Sequence, residues 1–105
     1  MLQHSLFIEI NQYLAKKNEY IATQVTGADR VRYLQEYLYH TAQSQDTPTV
    51  EAALISTLQQ IKGTSPDAIM QFTEEISQDE ELIEVLEKHH KNVYEYIDQQ
   101  LAKEE

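Results

Sequence analysis

Apolar residues recur along this chain at helical spacing, and strand-type alternation is nowhere sustained. In the first segment, Leu2 to about Val25, Leu2, Leu6, Ile10, Tyr13, Leu14, Tyr20 and Ile21 fall on one side of a helical wheel. Phe7 and Val25 sit at its edge and Ile8 lies off it. A helix of that length runs about 35 Å at 1.5 Å per residue. The polar block Lys16-Lys17-Asn18-Glu19 is the one place where it could break. Thr26-Gly27-Ala28-Asp29 then supplies a C-terminal glycine and an N-cap pair. A second helix is predicted from about Ala28 to Gln43, with Val31, Leu34, Leu38 and Ala42 as its stripe.

Asp46-Thr47-Pro48 marks the next boundary, with Thr47 as the expected cap and Pro48 in the first turn. The third helix carries Val50, Leu54, Leu58 and Ile61, widened by Ile55, and stops at Gly63. Ser65-Pro66-Asp67 repeats the same start signal for a short fourth helix, with Ile69, Phe72 and Ile76 as its buried candidates. Ser77-Gln78-Asp79-Glu80 reads as a capping box. It opens a last helix predicted to run unbroken to about Lys103. Leu82, Leu86, Val93, Tyr96 and Ile97 make its wide apolar face, with His89 and His90 on the shoulders.

These elements predict a single all-α domain over residues 1–105. It is an antiparallel bundle of four to five helices framed by long first and last helices. Leu, Ile, Val and Phe supply 26 of 105 residues, above the ~20% below which a highly charged chain stays disordered.

Composition narrows the function classes. With no Cys, disulfide scaffolds and thiolate metal sites fall away. No apolar run approaches the ~20 residues of a membrane span, so no membrane insertion is expected. The N-terminal stretch lacks the basic-then-apolar order of a secretory signal, which points to a cytoplasmic protein. The net charge of −10 opposes direct nucleic-acid binding. That charge is unevenly placed. Four basic residues (Lys16, Lys17, Arg30, Arg32) nearly balance five acidic ones up to Pro48, whereas residues 49–105 carry a net −9. Between Glu74 and Glu87 seven carboxylates occur with no basic residue among them.

Two gylcines 36 positions apart exclude a Gly-rich phosphate loop, and no serine has a nucleophile-elbow context. No enzymatic function is therefore expected, and no cofactor. Glu36 with His40, and Glu87 with His90, each place a carboxylate and an imidazole on one helical face. A di-iron bundle needs two Glu-x-x-His motifs and two further glutamates, and one such motif is present. Glu36, His40, Glu87 and His90 are thus the candidates for a metal-binding alternative. The seven tyrosines include a row, Tyr33, Tyr37 and then His40, set off from the apolar stripe of the second helix. Tyrosine is enriched at protein interfaces.

The stretch Glu36-Tyr37-Leu38-Tyr39-His40-Thr41-Ala42, followed by Thr49 and by Leu54-Ile55, Leu58 and Ile61, resembles part of the enterocin-type bacteriocin immunity proteins. The resemblance implies a small cytoplasmic helical bundle that acts as an antagonist. It covers about a quarter of the chain. That family is often basic and has less chain after this stretch.

The expectation is a non-enzymatic helical module, an adaptor, antagonist or immunity-type regulator, that binds a protein with a basic surface. Tyr33, Tyr37 and His40 are the expected contacts, with Glu80, Glu81, Glu84 and Glu87 as an electrostatic docking face. A homodimer through the Tyr row or the last helix is a further option. One alternative is an acidic mimic of DNA that inhibits a DNA-binding protein.

Overall fold

The computed structural model describes the backbone of residues 2–62 and 67–104 and the side chains of 6–61 and 67–99. Gly63, Ser65 and Pro66, the predicted stop and start between the third and fourth helices, lie outside these residues, as does the His4 side chain. The described chain is all-helical. It folds as α1 (Leu2–Ala22), α2 (Gly27–Ser44), α3 (Thr47–Lys62), α4 (Ala68–Gln78), α5 (Glu80–His89) and α6 (Lys91–Glu104). The Cα radius of gyration is 13.5 Å and the principal extents are 44 × 30 × 21 Å.

The 3–4 spacing of apolar residues on α2 to α6 builds one core. Leu34 and Leu38 of α2 meet Val50, Leu54 and Ile61 of α3, Phe72 and Ile76 of α4, Leu82 and Leu86 of α5, and Val93 and Ile97 of α6. Burying one such large side chain contributes about 1.5–3 kcal/mol. α1 reaches this core through Ala22 at its C-terminal end and otherwise packs chiefly on α2 as a helical hairpin. Gly27 makes the corner at φ 62°, a left-handed conformation that suits a residue without Cβ.

Three features depart from the sequence pattern. The predicted last helix is two helices, which brings the count among the described residues to six. His90 breaks it at φ −137°, ψ 59°. The His90 amide still bonds to the Leu86 carbonyl, and α6 restarts as the Val93 and Tyr94 amides bond to the His90 carbonyl. The break has a tertiary cause. The His90 ring turns inward, where Nε2 lies 2.8 Å from the Ala42 carbonyl and Nδ1 lies 2.9 Å from Thr47 Oγ1.

The caps also differ. Asp46, not Thr47, caps α3, accepting from the Thr49 amide at 3.1 Å. This leaves the Thr47 hydroxyl for His90. Asp79 rather than Ser77 caps α5, accepting from the Leu82 amide at 3.2 Å. The Ser77 hydroxyl instead donates back to the Glu74 carbonyl inside α4. Thr26 precedes α2 without a side-chain cap bond.

The third departure is the face that α1 buries. Asn11, Ala15 and Ala22 are its buried residues. Leu6, Ile10, Tyr13 and Tyr20, from the predicted core stripe, are instead 56%, 49%, 63% and 66% exposed. Small side chains let α1 approach α2 closely. Asn11 and Asn18 satisfy their amides on the Phe7 and Leu14 carbonyls of their own helix.

Candidate functional site

The Tyr row on α2 is turned toward α1 and the core. Tyr33 and Tyr37 are half-buried and pack against the core cluster. Burial, helped by the neighbouring Glu19 carboxylate on α1, raises the Tyr37 pKa above its ordinary value. His40 is fixed by its partners. The Asn11 amide nitrogen donates to the Phe7 carbonyl, so Asn11 Oδ1 is the acceptor for His40 Nδ1 at 2.8 Å. The other ring nitrogen, Nε2, faces Glu36 Oε2 at 3.6 Å, an ion pair only when the ring is protonated. Burial lowers the His40 pKa, and Glu36 opposes that shift. Arg30 reaches away from the row, donating to Gln60 on α3 at 3.3 Å.

The residues proposed from sequence as an acidic face are all exposed. Glu80, Glu81, Glu84 and Glu87 stand on the outside of α5, opposite the buried Leu82 and Leu86. Glu80 and Glu81 occupy the first turn, where the helix dipole favours anions. Asp79 adds a bond across to α2, accepting from Gln35 Nε2 at 2.7 Å. Glu81 and Glu84 also line a shallow polar hollow of about 260 Å³ with Tyr39, Gln43, Lys88 and His89.

The residues weighed as metal ligands are not brought together into one set. Glu36 and His40 pair locally, Glu87 points to solvent, and both ring nitrogens of His90 are committed to Thr47 and Ala42. Among the described residues no three His, Asp or Glu side chains converge as a metal-binding group.

Sequence reasoning missed an apolar furrow where α3 crosses α4 and α6. Two adjoining hollows of about 250 and 260 Å³ share Leu54, Ile55 and Tyr96. Ile55 and Tyr96 remain 53% and 40% exposed. The floor is Leu58, Ile69 and Ile76 at one end and Val93 at the other. Gln59, Glu51 and Asn92 supply the polar rim. The available signal was the extra width of two stripes, Ile55 on α3 and Tyr96 on α6.

No family model, curated protein or solved structure matches the chain. What the surface can do follows from its chemistry. An open, apolar-floored furrow with a thin polar rim accepts an inserted apolar side chain. The carboxylates of α5 attract and orient positive charge. Among the described residues no helix is long and apolar enough to cross a membrane.

Proposed function

We propose that the chain is a non-enzymatic, cytoplasmic protein-interaction module of adaptor or antagonist type. Its contact surface is the α3/α4/α6 furrow, and the acidic face of α5 steers the partner. The observation that carries this reading is the pair Ile55 and Tyr96, large apolar side chains left exposed beside a hollow that a partner side chain would fill. The chemistry calls for a partner that presents apolar residues, such as one face of an amphipathic helix, flanked by Lys or Arg. The net −9 over residues 49–105 and Glu51 on the rim favour that basic flank. Tyr37 and His40, engaged by α1, hold the hairpin in this reading, and the apolar contact passes from the Tyr row to the furrow.

The test is a tagged capture from host lysate at low and high salt, run in parallel with Ile55→Asp and with the double variant Glu81→Lys/Glu84→Lys. A near-stoichiometric partner is expected. Ile55→Asp removes it at any salt, and the charge reversal slows its association at low salt alone. A partner retained by Ile55→Asp would refute the furrow. Association rates unchanged by the charge reversal at low salt would refute the steering role of α5.

A further inference from the structure

α1 is built the wrong way round for a helix that ends at this chain's own surface. Its buried face is Asn11, Ala15 and Ala22, while Leu6, Ile10, Tyr13 and Tyr20 lie about half a turn away and are exposed. With Phe7, α1 carries five of the seven large hydrophobic residues that are exposed among the described residues. Isolated exposed apolar residues are ordinary, but four on one helix face, at spacings of 4, 3 and 7 with Lys17 in the gap, mark a contact surface. α1 packs chiefly on α2, and among the described residues the stripe stays exposed.

Charge identifies what covers it. Glu9 and Lys16 are exposed and flank the same edge of the stripe, two turns apart. Among the described residues neither forms an ion pair within the chain. A parallel two-fold pair puts the Glu9–Lys16 edges of the two copies on opposite sides of the seam, where they do not pair. An antiparallel pair centred near Tyr13 sets Glu9 against Lys16 of the second copy, twice by symmetry. The same register brings Leu6 close to Tyr20 of the second copy. It also lays the Lys17 stem along Ile10 of the second copy, which covers apolar surface while the ammonium stays in water. The stripe is self-complementary in this one orientation.

We propose that two copies of the chain associate through the outer faces of α1, antiparallel about a two-fold axis near Tyr13. The four stripe residues expose on the order of 550 Å² per copy, near the ~600 Å² per partner at the lower end of specific interfaces. An interface at that lower end fits a reversible dimer rather than an obligate one. The interface does not use the furrow, so either reading can fail while the other stands.

Sedimentation velocity and light scattering from about 1 to 300 µM test the proposal. The expected result is a concentration-dependent monomer–dimer equilibrium. Glu9→Lys and Lys16→Glu each raise the dissociation constant about tenfold or more, and the combined Glu9→Lys/Lys16→Glu chain returns to within about twofold of wild type. Both positions are exposed, and circular dichroism checks that the variants fold. The chain has no native Cys, so Tyr13→Cys is expected to give a disulfide-linked dimer under mild oxidation, and Ile55→Cys is not. A monomer throughout the range overturns the proposal. So does a combined variant no better than the single ones, or cross-linking at position 55 in place of 13.

Discussion

Replacing His90 with alanine removes the joint between two halves of the core. The ring is 4% exposed and bridges the last turn of α2, through the Ala42 carbonyl, to the first residue of α3, through the Thr47 hydroxyl. A carbonyl can only accept, so Nε2 carries a proton and donates to Ala42. Ala42 belongs to the last turn of α2, where the Gln45 cap amide goes to the Thr41 carbonyl and the Ala42 carbonyl takes the His90 ring. The two hydrogen bonds contribute about 1 kcal/mol each. Leaving the Ala42 carbonyl buried and unpaired costs about 1 kcal/mol more. The expected loss for His90→Ala is therefore about 3 kcal/mol, a large share of the 5–15 kcal/mol typical of a domain. It lowers Tm by roughly 15 °C in a chain of this size. Urea unfolding followed by circular dichroism measures it as a shift in midpoint at constant m. Thr47→Val, which keeps the shape and removes the hydroxyl, isolates one bond. Combined with His90→Ala it falls short of additivity by about 1 kcal/mol. A His90→Ala loss below about 1 kcal/mol, or full additivity with Thr47→Val, would refute the bridging role.

His40 makes stability depend on pH. Burial lowers its folded pKa below the unfolded value of about 6.5, so the unfolded chain binds the proton more readily. This contribution is intact above the unfolded pKa and is lost as pH falls through 6.5 toward the lower folded value. The urea midpoint of wild type is expected to drop between pH 7.5 and pH 5.5 more than that of His40→Gln, and equal slopes would contradict it. Asp79→Ala removes the α5 cap and the Gln35 bond together, at a cost of about 1–2 kcal/mol by thermal unfolding. Asp79→Asn should recover part of that loss. Gly27→Ala places a Cβ at φ 62° with nothing within 4 Å of it, so the cost of about 1 kcal/mol is purely one of backbone conformation. Gly27→Asn is expected to cost less, because Asn tolerates the left-handed region.

The helices of the core were legible because their partners are one another. Leu34, Leu38, Val50, Leu54, Phe72, Ile76, Leu82 and Leu86 sit at 3–4 spacing and are all buried. Starts and stops fell within a residue or two of Gly27, Thr47 and Glu80, since glycine and capping carboxylates act locally. The His90 break was not legible. Its cause lies 43 and 48 residues away in sequence, at Thr47 and Ala42, and the local apolar spacing continues through it undisturbed. The candidate surface divides in the same way. The exposure of Glu80 and Glu81 follows from their place in a first helical turn. The exposure of Ile55 and Tyr96 depends on how far α3, α4 and α6 are splayed, which spacing does not encode.

The α1–α2 hairpin shows why an apolar stripe alone does not decide which face a helix buries. The Leu6–Ile10–Tyr13–Tyr20 face offers more transferable area than Asn11, Ala15 and Ala22. Yet α2 has already turned Leu34 and Leu38 toward the core of α3 to α6, and α1 meets what remains. That remainder is the polar and aromatic side of α2, with His40, Tyr37 and Glu36. A leucine-rich face of α1 would remove the partner of the half-buried His40 Nδ1, at a cost of about 1 kcal/mol. Asn11 supplies that partner, and Ala15 and Ala22 let the helices close around it. Asn11 therefore sets the rotation of α1, much as a single buried asparagine fixes register in a coiled coil. The same rotation turns the large apolar residues outward, so the fit to His40 and the exposed stripe of α1 have one cause. Asn11→Leu should loosen that rotation and lower the exposure of Tyr13 and Tyr20, read as slower surface labelling of both. Unchanged labelling would mean that helix packing alone holds α1 in place.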